Sequence, residues 1–164
     1  RGDLAGLKMA YVGDGNNVCH SLMFGALKLG MRMSMGCPRD YAPNPLILKS
    51  AEREARDLGS PVPVVTPDPM QAVVGADVVY TDVWTSMGQE AENAQRHAAF
   101  DGFTVTPEMM EMAGPQAVFM HCLPAHRGEE VAAEVIDGPQ SVVFDEAENR
   151  LHAQKGILAW CLEA

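Results

Sequence analysis

Two spacings of apolar residues alternate along this 164-residue chain. Short β-branched or apolar runs at 7–12, 31–35, 63–66, 77–81, 117–120 and 141–144 have the length and make-up of buried strands. Between them, apolar residues recur three and four apart, as on a helix that buries one face. The first such stretch carries Val18, Leu22, Ala26 and Leu29 on one stripe, with Asn16 placed to cap its start and Gly30 to close it. Residues 46–58 read as a second amphipathic helix, with Glu52, Arg53, Glu54, Arg56 and Asp57 on the wet face and Gly59 at its end. The Pro and Asn residues between Pro38 and Pro45 mark a loop. Asp68 can cap a short helix over 69–74, helix returns near 91–98, and Thr106-Pro107 opens a helix that Gly114 ends. A short helix is expected over 129–136 and a last one over about 148–162, with Leu151, Leu158 and Leu162 on one side.

This alternation predicts a doubly wound, three-layer α/β/α fold around a mainly parallel five-stranded sheet, in one domain over residues 1–164. The length can bury a sizeable core, and a hydrophobic share of 47% argues against disorder. There is no internal repeat and no low-complexity tract.

Charge narrows the partners. Twelve basic and 22 acidic residues give a net charge of -10. Such a surface repels phosphate backbones, so no nucleic acid is expected; it weakly favours a cationic, diamine-like substrate. No run approaches the roughly 20 apolar residues of a bilayer span, so no membrane partner is expected either. The four cysteines, Cys19, Cys37, Cys122 and Cys161, show no CxxC spacing and no disulfide framework. A reducing, cytoplasmic compartment fits that usage, with an upstream targeting signal left open.

Candidate chemistry gathers where strands run into polar loops, which is where ligands bind in open α/β sheets. Three loops qualify. The run at 9–12 leads into Gly13-Asp14-Gly15-Asn16-Asn17, the run at 77–81 into Asp82 and its neighbours, and the run at 117–120 into His121-Cys122-Leu123-Pro124. Cys122 is either a buried small hydrophobe or a thiol tuned by His and Arg neighbours. Asp82 either holds a cation or ends its strand in an Asx-turn. Gly13-x-Gly15 invites a dinucleotide reading, but Val18 stands where the third glycine is needed, and Asp40 is the sole nearby candidate for a ribose acid. A tight turn that lets the helix pack on the sheet is the simpler account, with Asp14 bonding nearby backbone amides. His121, Cys122 and His126 fit no common zinc spacing, so no metal is expected. His20, His97 and His152 occupy ordinary helix positions.

The GDGNN turn at 13–17, the DVWTSMGQE loop at 82–90, the HCLPAHRGEEV segment at 121–131 and the EAENR segment at 146–150 together resemble the ornithine carbamoyltransferases. Order and spacing match, over essentially the whole chain. That family has two domains. The first binds carbamoyl phosphate through a Ser-Thr-Arg-Thr loop and a His-Pro-x-Gln segment, and neither is present here. The resemblance therefore implies the second, ornithine-binding half alone, most simply a fragment, with the N-terminal domain of the same enzyme as its missing partner. It implies a homotrimer when intact, a place in arginine metabolism, and no cofactor. The last helix would pack on the missing domain, so Ile157, Trp160 or their neighbours are expected to be exposed, or covered by a non-native contact. The fragment alone is expected to be inactive and to bind ornithine weakly.

The resemblance also assigns residues. Asn17, Asp82, Ser86 and Met87 would contact ornithine, Asp82 through its α-ammonium, while Gly88 would hinge a loop that closes on it. Cys122, Leu123 and Arg150 would contact carbamoyl phosphate, Leu123 through its carbonyl; Arg150 could instead pair with Glu146 on the surface. Trp84 reads as a packing anchor. The reaction implied is attack of the δ-amine of ornithine on the carbonyl carbon of carbamoyl phosphate, giving citrulline and phosphate. Asp82 and Cys122 would be the catalytic pair, with Cys122 a polar orienter and proton relay rather than a nucleophile. Two alternatives stay open: transfer to another amine, such as putrescine or an acylated ornithine, and a non-catalytic Rossmann-like ligand-binding module. Ser86-Met87-Gly88 favours plain ornithine.

Overall fold

Five of the apolar runs pair side by side, all parallel, in the order β3-β2-β1-β4-β5. They are β1 (Lys8–Val12), β2 (Arg32–Gly36), β3 (Val64–Thr66), β4 (Val78–Thr81) and β5 (Val118–His121). A computed structural model provides this fold and describes residues 2–85 and 92–163. Among the described residues seven α-helices are interspersed with these strands: α1 (Asn17–Lys28), α2 (Pro45–Leu58), α3 (Pro69–Val73), α4 (Asn93–Ala99), α5 (Pro107–Ala113), α6 (Ala133–Ile136) and α7 (Val143–Glu163).

The caps act as the sequence predicts. The Asn16, Asp68 and Thr106 side chains accept from the first-turn amides of α1, α3 and α5, and Gly59 closes α2 in the left-handed conformation. Strand alternation then sorts the core into two layers. Ala10, Val12, Val79 and Phe119 face one side, beneath α3, α5, α6 and the start of α7. Tyr11, Met33, Met35 and Tyr80 face the other, beneath α1 and α2. Each fully buried side chain of the size of Met23 or Phe119 contributes roughly 1.5–3 kcal/mol by leaving water. Trp84 is an anchor, as expected: it is buried in the first layer and stacks on Phe100 at 5.5 Å.

Two expectations fail. The run at 141–144 is not a strand. Ser141 makes a single bridge to Phe119, the Val142 amide donates to the Phe119 carbonyl, and α7 begins at Val143, five residues before the predicted start. A four-residue apolar run fits a buried strand and a buried helical turn equally well. The helix predicted over 129–136 is confined to Ala133–Ile136. Val131 instead bridges Val105, with the Val105 amide donating to Glu130 and the Ala132 amide donating back to Val105, which holds this segment extended.

α7 departs from the rest of the molecule. Past its first turn every described residue is exposed, including Leu151, Ile157, Leu158, Trp160 (72%) and Leu162 (86%).

Candidate active site

The strand order reverses between β1 and β4: the chain moves outward from β1 through β2 to β3, then returns to β4 on the other side of β1. A crevice opens outside the strand ends at such a point, because the loops on either side lead away in opposite directions. The loops after β1, β4 and β5 meet there.

Asp82, the first residue past β4, is the centre of the meeting. It is buried, and its carboxylate accepts from three groups. Oδ2 accepts from Nδ2 of Asn16 at 3.0 Å, across the reversal, while Oδ1 accepts from its neighbour Val83 N at 2.8 Å and from Sγ of Cys122 at 3.1 Å. The local Val83 bond ends the strand; the other two join three loops. Asn16 therefore has two tasks, since its Oδ1 also caps α1. Asn17, the predicted contact, is the exposed first residue of α1 beside it.

The loop after β1 is fixed from below. Gly15 lies so close to the 42–43 segment that a Cβ there would come within 2.3 Å of Pro43 N, which accounts for this glycine. The Asp14 carboxylate is occupied: it pairs with the guanidinium of Arg96, and both side chains are buried. Burial raises the Asp14 carboxyl against the opposing pull of Arg96. Arg96 also donates through Nε to the Trp84 carbonyl and lies over the Tyr41 ring at 4.7 Å. The make-up of α4 hides this, because an arginine is ordinarily exposed and the burial of this one depends on Asp14, 82 residues away.

Cys122 sits among acids rather than the cations that its sequence neighbours promised. Arg127 turns away to Asp137, and His126 lies against Glu130. Glu146, from the first turn of α7, accepts from the Tyr80 hydroxyl at 2.8 Å and from the His121 amide at 3.0 Å. Burial first, then the Asp82 carboxylate as acceptor and neighbouring charge, pushes the Cys122 thiol up to about 12. It is a neutral donor at neutral pH. His121 points to the other layer, buried, with Nε2 3.2 Å from Oε1 of Glu130 and Nδ1 accepting from the Leu123 amide. Leu123 adopts a left-handed φ of 54°, which costs a side-chain-bearing residue about 1–2 kcal/mol and is typical of ligand clamps. Arg150 is exposed on α7, one turn beyond Glu146. It makes no ion pair with Glu146, whose two oxygens are engaged inward. Ser86, Met87 and Gly88 lie outside the described residues.

Of the residues singled out in the sequence, the fold brings Asp82 and Cys122 together, and it adds Asn16 on Asp82, Tyr80 on Glu146 and Arg96 on Asp14. Glu146 was visible as the first residue of the EAENR segment, but its inward turn was not. A groove of about 740 Å3 between β3 and α3, walled by Val62, Val64 and Val74, lies away from these groups.

Residues 5–161 match the Asp/Orn binding domain of the aspartate/ornithine carbamoyltransferases. The chain is 64% identical over 157 residues to an ornithine carbamoyltransferase of Symbiobacterium thermophilum, covering 96% of this chain and 50% of that protein. To one of Thermococcus kodakarensis it is 55% identical, covering 97% and 50%. The solved ornithine carbamoyltransferase of Pyrococcus furiosus superposes with a TM-score of 0.89 at 52% identity, over 96% of this chain and 50% of that one. The chain spans about half the length of the curated relatives it matches. Matched over nearly its full length, in sequence and in fold, the chain belongs to the aspartate/ornithine carbamoyltransferase family, and what it spans is the Asp/Orn binding domain.

Proposed function

We propose that this chain is the ornithine-binding half of an enzyme that transfers the carbamoyl group of carbamoyl phosphate to the δ-amine of L-ornithine, yielding citrulline and phosphate. The observation that carries this reading is the buried Asp82 carboxylate bonded at once to Asn16 and Cys122 across the strand reversal. A carboxylate offers about four acceptor sites. Three are filled, so one remains for the α-ammonium of ornithine, as a charge-assisted bond in a water-poor crevice. Asn17, exposed beside Asn16, is the residue for the α-carboxylate, with Ser86 and Met87 as further contacts.

The δ-amine reacts only when unprotonated, against an ordinary alkylammonium pKa of about 10.4. A neutral Cys122 thiol orients it without adding a competing negative charge, and is a poor nucleophile in its own right. Transfer is direct, so placing the amine against the carbamoyl carbon supplies much of the acceleration. Leu123 and Arg150 are the residues of this half for carbamoyl phosphate; the rest of that site belongs to a further domain. The exposed apolar side of α7 supports docking on such a domain. A homotrimer, a cytoplasmic setting and arginine biosynthesis come with the same reading, on the strength of the family resemblance.

Citrulline formation by the chain joined to a carbamoyl-phosphate-binding domain tests the proposal. Asp82→Asn should lower kcat/KM for ornithine roughly 10–150-fold, the worth of one hydrogen bond to a charged group. Faster turnover of putrescine or an acylated ornithine would replace ornithine as the substrate. Calorimetry of the isolated chain should find weak ornithine binding, and tight binding would contradict the half-site reading.

A further inference from the structure

We propose that His126, Glu129 and Glu130 form a binding site for one divalent transition-metal cation of the zinc class, on the loop that follows β5. Their ligand atoms, the His126 ring nitrogen and one oxygen from each carboxylate, all lie within 4.8 Å of one another. Proximity alone would say little. The pointer to a ligand is Glu130, whose side chain is wholly buried with its two oxygens unequally served. Oε1 accepts from the His126 amide at 2.6 Å and faces Nε2 of His121 at 3.2 Å. Oε2 has no hydrogen-bond partner among the described residues and faces Nδ1 of His126 at 3.6 Å. A buried acceptor left unserved is costly. A cation between Oε2 and His126 removes that cost.

The set suits a small, borderline-soft ion. One imidazole and two carboxylates are zinc or cobalt ligands, whereas calcium and magnesium prefer oxygen alone. Bond lengths of 2.0–2.2 Å in a tetrahedron place ligand atoms roughly 3.3–3.6 Å apart, so the group must contract by about 1 Å. Glu130 is fixed, but the His126 and Glu129 side chains are 53% and 40% exposed, with room to close. Their exposure also gives the ion its way in. Water completes the shell, or His97 does, since its Nε2 is already 3.4 Å from Glu129. Through Glu130 and His121 the ion would bear on the Leu123 amide, beside Cys122. His121 would then be the outer hydrogen-bond partner of a ligating carboxylate, as ligating carboxylates are themselves hydrogen-bonded. The sequence grouped His126 with His121 and Cys122; folding groups it with Glu129 and Glu130 instead.

The site competes with one metal-free alternative, a protonated His126 paired to Glu130. Titration of the untagged, metal-free chain with Co2+, followed by visible absorption and calorimetry, separates the two. We expect one ion per chain, the intense ligand-field bands of a tetrahedral site, and no thiolate charge-transfer band. His126→Asn and Glu129→Gln, both at exposed positions, should each weaken binding by more than the roughly 10–100-fold that loss of an outer partner causes. Cys122→Ser should leave the affinity unchanged. The proposal falls if binding does not saturate, if it survives both ligand substitutions, or if it disappears in Cys122→Ser, which would place the ion on the thiol.

Discussion

The sheet and α7 are built from similar residues and meet opposite fates. Around β1, β4 and β5, apolar side chains vanish into two layers: Tyr11, Val12, Val79 and Phe119 are fully buried. Along α7, Leu151, Ile157, Leu158 and Trp160 stand 59–72% exposed. Among the described residues the first turn of that helix is tied down, through Val143 in the core and Glu146 to Tyr80 and His121, and the rest is exposed. The difference teaches that, among the described residues, a 21-residue helix forms here with core contacts confined to its first turn. Large exposed apolar area of this kind marks an interaction site.

That contrast can be broken in graded steps. Phe119→Ala should cost about 3–5 kcal/mol in chemical denaturation, because the sheet cannot collapse around the space left. Arg96→Met should approach the same loss, about 3–5 kcal/mol, by leaving the buried Asp14 carboxylate unpaired. A loss under 1 kcal/mol would show that water serves Asp14. Gly15→Ala should cost about 1–3 kcal/mol by overpacking against Pro43, and the same change at Gly156, with open space around it, should not. Trp160→Ser on α7 should stay within about 0.5 kcal/mol in the isolated chain, and a larger loss would mean that the helix folds back on the body.

The site adds a titration to the comparison. The folded Cys122 thiol is raised from 9.0 to about 12, so the protonated form favours the fold. Its contribution is complete below pH 9 and is lost as pH rises from 9 towards about 12. Alkylation should therefore label the exposed Cys161 on α7 first, with Cys122 lagging until well above pH 9. Cys122 reacting as fast as Cys161 near neutral pH would remove the Asp82 hydrogen bond from the argument.

Local signals in the chain carried far. Asn16, Asp68 and Thr106 are caps wherever they occur before an apolar stripe, since a side-chain oxygen serves free first-turn amides without help from elsewhere. The five strands and the α/β class follow from periodicity in the same way, and Asp82 and Cys122 could be singled out because strand ends collect chemistry. The errors at 129–136 and 141–144 arose where a short run satisfies two periods and a distant residue, Val105 in a loop or Phe119 in β5, makes the choice.

The sequence by itself therefore determined most of the elements, their caps and the parallel sheet, because these depend on neighbours within a few positions. Tertiary structure alone decided which charges go inside and what they meet. Asp14 finds Arg96 82 residues away, Asp82 finds Asn16 and Cys122 at separations of 66 and 40, and Glu146 turns in to Tyr80. Burial makes those pairings matter, since a polar group removed from water must find a partner, and the partner is fixed by where the strands end in space rather than by where residues lie along the chain.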